Sequence, residues 1–282
     1  MAGGGHRGET GGKMGAQAKP PPGGAGDLGA FMEAKEESLA GLRKRTDWGT
    51  FGGPRPGFGE ALSEGRRKRG LGLIAEYKRA SPSLGDINLA LSPEEAALAY
   101  SGADCLSVLT EERFFKGHLG FLGRMAAAGK PELRKDFIFD PLQVRETAGT
   151  PASALLLIVR LTPDAVLLAE LFRAAADLGL EAVVEVFGLG ELDKARRLGA
   201  SLIQFNSRDL GSLAVDRGAI LGMARKEPPQ PGETYIAASG LRVADDLKRA
   251  ADAGFGAVLV GTALMRSGDP GKALDALLAG LA

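Results

Sequence analysis

LGLIAEYKRASPS, residues 71–83, opens the part of the chain whose pattern decides the fold. It starts as an apolar run with the length of a buried strand. It passes into a turn, KRASPSLG, that lacks the GxGxxG spacing of an open, doubly wound nucleotide-binding sheet. From there to the C-terminus, short runs rich in Ile, Leu and Val alternate with segments rich in Ala, Leu and charge. Strands are expected over 71–77, 104–109, 132–134, 154–159, 182–186, 202–205, 235–238 and 257–260. Helices are expected over 93–100, 119–128, 141–148, 163–178, 189–198, 217–225, 242–253 and 271–281. Ser92–Pro93 with Glu95, and Thr162–Pro163, read as helix starts; Gly129, Gly179, Gly199 and Gly254 read as stops. Eight such units over about 210 residues match a (β/α)8 barrel. Strands that are apolar throughout suit a parallel sheet covered by helices. The fold class is therefore α/β, a single TIM barrel spanning residues 71–282.

Upstream, residues 29–70 hold two helical patterns, FMEAKEESLAGLRKR and EALSEGRRKRG, around a Gly/Pro-rich connector. Residues 1–28 are rich in Gly, Pro, Ala and Lys and read as a disordered tail. The tail lacks the apolar centre of a secretory signal. The chain has 282 residues, 44% of them apolar, enough for one large domain. Lys plus Arg and Asp plus Glu number 35 each, which argues against nucleic-acid and membrane partners. The basic clusters at 43–45 and 66–69 read as solvated helix surface. No segment has the apolar length to span a bilayer. Cys105 stands alone in an apolar run and reads as a small core residue, in keeping with a reducing cytoplasm. No long apolar stripe asks for a partner, so a monomer is expected.

The chemistry gathers at strand ends, where a barrel of this kind carries its active site. Glu76, Lys78, Lys135, Glu185 and Asn206 each close an apolar run. A buried ionisable group is costly unless paired or functional, and five polar groups at five such positions suggest one shared site. Side chains alternate along a strand, so Glu76 and Lys78 share the inner face with Ile74. Glu185 is expected to point inward, with Val183 outward. Taken singly, each has a plainer reading: an internal salt bridge for Glu76 and Lys78, a Lys135–Asp136 pair, or an ion pair for Glu185. Two Glu and two Lys in a low-dielectric mouth can donate and accept protons in one reaction. No Ser–His–Asp triad and no metal-ligand spacing is present, which leaves metal-free acid–base chemistry. The last two units end in AASGL and VLVGTALM. There Ser239, Gly240, Gly261 and Thr262 suit a phosphate, with a short helix opening after Gly261. Phe114, Phe115 and Phe137, with Pro82, can wall a pocket for an aromatic ring.

These segments resemble the indole-3-glycerol-phosphate synthase family of tryptophan biosynthesis. IAEYKRASPS, SVLTEERFFKG, LRKDFIFDPLQ, ASALLLIV, EAVVEVF, NSRDL, SGL and VGTALM occur in the family's order from about residue 71 to residue 267. The resemblance implies closure of an indole ring on 1-(2-carboxyphenylamino)-1-deoxyribulose 5-phosphate, with loss of CO2 and water and no cofactor or metal. It assigns Lys135 as general acid, Lys78 to anionic groups and dehydration, Glu185 as proton acceptor and Glu76 as organiser. Asn206 and Arg208 would contact the substrate, as would Ser81. Ser239, Gly240, Gly261 and Thr262 would hold the phosphate, while Pro82, Phe115, Phe137 and Leu156 would hold the ring. Residues 29–70 resemble the segment that caps this family's barrel mouth. Three positions depart from the usual pattern: Ala238 where Glu is common, His118 where Ser is common, and Phe187–Gly188–Leu189 after VEV. A phosphoribosyl isomerase, another phosphate-binding barrel, is expected to use Asp or Cys/Asp pairs at strand ends, which the Glu/Lys/Lys/Glu set disfavours.

Overall fold

Leu73, Ala75 and Tyr77 pack outward beneath helices, while Ile74 packs inward with residues of every other strand. That two-sided burial is what a closed parallel ring requires of its strands. The computed structural model describes Met1 and residues 28–208 and 215–281. The tail expected over 1–28 lies outside the described residues except at its two ends.

Eight strands form the barrel: β1 Gly72–Tyr77, β2 Cys105–Leu109, β3 Glu132–Lys135, β4 Ala154–Ile158, β5 Glu181–Val186, β6 Leu202–Asn206, β7 Thr234–Ala238 and β8 Ala257–Val260. Each pairs in parallel with its sequence neighbours, and β8 returns to β1 with Gly72 opposite Ala257. The inner layer (Ile74, Leu133, Leu156, Val183, Ile236 and Leu259 among others) is buried. Each such side chain contributes about 2 kcal/mol through loss of contact with water. Val183, expected outward, shares this interior with Glu185, as the two-residue period demands.

The outer helices are α3 Pro93–Ala99, α4 Gly120–Met125, α5 Pro141–Ala148, α6 Ala165–Asp177, α7 Leu189–Arg197, α8 Arg217–Lys226, α9 Ala244–Asp252, the short α10 Thr262–Met265, and α11 Pro270–Ala279. The Ser92–Glu95 signal forms a capping box: Glu95 N–H donates to Ser92 Oγ at 3.2 Å and Ser92 N–H to Glu95 at 2.8 Å. Thr162 does not start its helix. Asp164 does, accepting from Val166 N–H at 2.8 Å, because Thr162 is buried inside the preceding turn. The helix expected over 119–128 ends early, giving way to a 3-10 turn, Ala126–Ala128, that Gly129 closes at φ 64°.

The two leading helices, α1 Leu28–Arg43 and α2 Phe58–Arg69, serve opposite ends of the barrel. Phe58 and Leu62 of α2 are fully buried in one cluster with the strand starts Cys105, Ala154, Leu202 and Ala257. Glu181, first in β5, accepts from Phe58 N–H and, at 3.0 Å, from Gly59 N–H. It thereby satisfies amides that a helix start leaves open. Capping of the mouth falls to α1 alone: Phe31 stacks on Phe137 with ring centroids 4.3 Å apart, and Lys35 Nζ lies 2.7 Å from Asp136.

Candidate active site

At the C-terminal ends of the strands, one cavity of about 440 Å³ receives side chains from all eight units. β1 contributes Glu76 and Lys78 on its inner face, with Lys78 Nζ 2.6 Å from Glu76 Oε1. Burial alone would raise the Glu76 carboxyl, but Lys78, Lys135 and Arg208 outweigh it and hold the group below the usual carboxylate range. Glu76 is therefore an anion at neutral pH. β3 turns Lys135 into the cavity and Arg134 away from it, while the carboxylate of Asp136, at the cavity's border, is taken up by other partners. Asp136 is taken by Lys35 at 2.7 Å, Arg134 at 3.1 Å and Thr110 Oγ1 at 2.6 Å. A Lys135–Asp136 pair is thus ruled out, and Lys135 forms no ion pair among the described residues.

Glu185 of β5 is 1% exposed, and its hydrogen bonds among the described residues go to amides, not to a lysine. Its Oε2 accepts from the Gln204 amide and, at 3.2 Å, from Asn206 Nδ2, both on β6. Asn206 Oδ1 in turn accepts from Ser239 Oγ at 2.7 Å and Arg208 N–H at 3.0 Å. This fixes which end of the amide faces Glu185. Arg208 also donates to Ser83 Oγ at 3.2 Å, joining the loops after β6 and β1.

After β7, Ser239 and Gly240 both take positive φ, 70° and 77°. Glycine is required at 240, where a Cβ would come within 2.6 Å of Val215. After β8, Gly261 lets the backbone pass Glu76: a Cβ there would stand 2.4 Å from Glu76 Oε1. With Thr262, these residues line the end of the cavity that Arg242 and Arg266 also border. Pro82, Phe115, Phe137 and Leu156 also line the cavity, with Ser81 next to Pro82 in the chain. Ser81 belongs to a two-residue strand, Ala80–Ser81, that pairs antiparallel with Gly85–Asp86 inside the β1 loop. Phe114 turns away and packs edge-on against Phe31, centroids 4.9 Å apart.

The residues assigned from the sequence to catalysis, substrate and phosphate all line this cavity; Phe114, expected in its wall, does not. Sequence reasoning missed Phe31, Glu111 and Gln204. Glu111 is buried in the loop after β2, where its carboxylate accepts from Arg113, Phe114 and Phe115 N–H at 2.9, 2.7 and 3.0 Å. Burial raises its carboxyl despite those donors. Its position in SVLTEERFF, just past a strand, was a usable signal. His118 lies off the cavity and accepts from Gly120 N–H at 3.0 Å, so it is a turn residue. Ala238 puts a methyl group on the cavity wall, opposite Asn206 in the ladder. Among the described residues, no group of three or more His, Cys, Asp or Glu could hold a metal ion. No helix among them is long and apolar enough to cross a membrane.

The chain is 43% identical over 223 residues to an indole-3-glycerol phosphate synthase of Carboxydothermus hydrogenoformans, covering 78% of this chain and 84% of that one. It is 43% identical over 227 residues to the enzyme so named from Rhizorhabdus wittichii, covering 79% and 85%. Among solved structures, a 3-hexulose-6-phosphate synthase superposes with TM-score 0.58 at 19% identity, covering 75% of this chain and all of that one, which shows the shared barrel. The family profile described as indole-3-glycerol phosphate synthase matches residues 31–277. By the family profile over most of its length and by its relatives' sequences, the chain belongs to the indole-3-glycerol phosphate synthase family.

Proposed function

We propose that this chain closes the indole ring of 1-(2-carboxyphenylamino)-1-deoxyribulose 5-phosphate, a carbon–carbon lyase step of tryptophan biosynthesis, with its strand-end residues dividing the proton transfers. The ring carbon bearing the carboxylate attacks the ketone carbon, and Lys135 gives a proton to the ketone oxygen. The nitrogen lone pair leaves a cationic iminium, and departure of CO2 returns the C–C bond electrons to the ring. Lys78 protonates the new hydroxyl as it leaves as water, and Glu185 takes the proton from the adjacent CH2. Two protons are given and one is taken, matching the loss of a carboxylate as neutral CO2. Glu76 keeps Lys78 in place. Asn206, Arg208 and Ser81 contact the substrate's polar groups; Ser239, Gly240, Gly261 and Thr262 hold its phosphate; Pro82, Phe115, Phe137 and Leu156 hold its ring.

One observation carries this reading: Lys135, without an ion-pair partner among the described residues, and Glu185, with both its hydrogen bonds on one oxygen, enter the same cavity. The cavity's apolar wall and its cationic end suit an aromatic ring and a phosphate respectively. All of these groups come from one chain, so the enzyme acts as a monomer, in the cytoplasm, with residues 29–70 as an accessory segment of a barrel that starts at 71. Purified protein supplied with the substrate should develop indole fluorescence. Absence of turnover by folded protein would instead make this barrel a binding module.

A further inference from the structure

Gln204 stands opposite Glu185 in the β5–β6 ladder, one inward step below Asn206. It is fully buried and takes no part in the cavity wall. Its surroundings are the apolar interior that includes Val183 and Ile236. A primary amide there costs roughly 1–3 kcal/mol for each end left unbonded. Its Nε2 donates to Glu185 Oε2, while its own Oε1 is buried without a partner among the described residues. An amide kept only to fill space would be replaced at no loss by Leu or Met. The one bond it makes is therefore what it contributes.

That bond completes a defined geometry. Asn206, held by Ser239 and Arg208, directs its Nδ2 to the same Oε2. With one donor, the Glu185 carboxylate could pivot about its last torsion. With a second donor from below, Oε2 is pinned and Oε1, which no described residue engages, is left for the cavity. We propose that Gln204 is the positioning residue of the proton acceptor, holding Glu185 so that Oε1 meets the substrate. The assignment rests on the role given to Glu185 above.

The test compares the parent enzyme with Gln204→Met, which keeps the volume and loses the donor. Hydrogen bonds to a carboxylate favour its charged form. The acid limb of the kcat profile is therefore expected to move to higher pH, and kcat at its optimum to fall about tenfold, within the roughly 10²–10⁴-fold that acid–base catalysis supplies. KM should stay within about twofold, because ground-state binding is untouched. A crystal structure of the variant should show the Glu185 carboxylate rotated or in two orientations. Gln204→Glu serves if the Met variant does not fold: two facing carboxylates would share a proton and depress kcat likewise. An unmoved acid limb with kcat within about twofold of the parent overturns the proposal. So does a drop in melting temperature with unchanged kcat per folded molecule. If the parent itself shows no turnover, the functional reading has failed, and the orientation of Glu185 in the variant crystal still decides the positioning role: one unchanged conformer overturns it.

Discussion

Lys78 Nζ lies 2.6 Å from the carboxylate of Glu76, two residues earlier on the same strand, whereas Lys135 on β3 has no ion-pair partner among the described residues. The two lysines of the cavity are therefore unlike. One is held in place by its ion pair, while the other is free to move toward the substrate's ketone. Lys135→Ala should lower kcat by roughly 10²–10⁴-fold, the usual contribution of a general acid. KM should barely move, since the lost interaction belongs to the transition state. Near-normal kcat in steady-state assays would remove Lys135 from the acid role.

Gly261 is fixed by packing against Glu76. Its φ of −126° is open to any residue, yet a Cβ would collide with the Glu76 side chain. Gly261→Ala should displace Glu76 and with it Lys78, raising KM and lowering kcat together, by about tenfold in kcat/KM. Gly261→Asp adds a negative charge to the same clash and should be worse. Kinetics of the Ala variant indistinguishable from the parent would show that the β8 loop does not set this pair.

Glu76 after LIA and Glu185 after VV were legible because each breaks a short apolar run near its C-terminal end, and Lys135 because ELRKDF falls where the strand-and-helix alternation asks for a strand end. Chain-local signals of that kind survive in one dimension. Phe31 and Lys35 were not legible, because their partners Phe137 and Asp136 lie far along the chain; Lys35 and Asp136 are 101 residues apart. Gln204 escaped for another reason: an amide inside a strand pattern says nothing of which face it shares or what stands opposite. The placement of α2 at the barrel floor rests on Phe58 and Leu62 meeting the strand starts, which an amphipathic pattern alone does not specify.

Asp136 ties α1 to the barrel. Burial would raise its carboxyl, but Arg134, Lys35 and Thr110 hold it below the usual range. Its stabilising contribution is therefore present above the ordinary carboxylate pKa, near 3.8, and fades as pH falls through the lowered value. Asp136→Asn should cost about 3 kcal/mol at neutral pH, the usual cost of removing one partner from a buried ion pair. It should also raise KM by freeing Phe31 from the ring wall. Denaturant titration should show the gap between variant and parent narrowing in acid. A gap independent of pH would contradict the network.

Glu132 runs the other way. It opens β3 on the outer face, 1% exposed, and neither carboxylate oxygen has a partner among the described residues. Burial pushes its carboxyl from 4.5 up to about 8. The folded protein holds this proton where the unfolded chain has lost it. Its penalty is absent below the unfolded pKa, grows as pH rises, and levels off above the folded one, reaching about 3 kcal/mol at neutral pH. Glu132→Leu should stabilise the protein near neutrality and flatten the fall in stability between about pH 5 and 8. Denaturation midpoints across that range provide the measurement, and an unchanged slope would contradict the assignment.

The most direct measurement is a crystal structure of the protein with indole-3-glycerol phosphate. The indole should lie against Phe115, Phe137 and Leu156, its edge between Lys135 and Glu185, with the phosphate at Gly240, Gly261 and Thr262. Product bound away from those residues, or with its phosphate among Phe115 and Phe137, would contradict this placement.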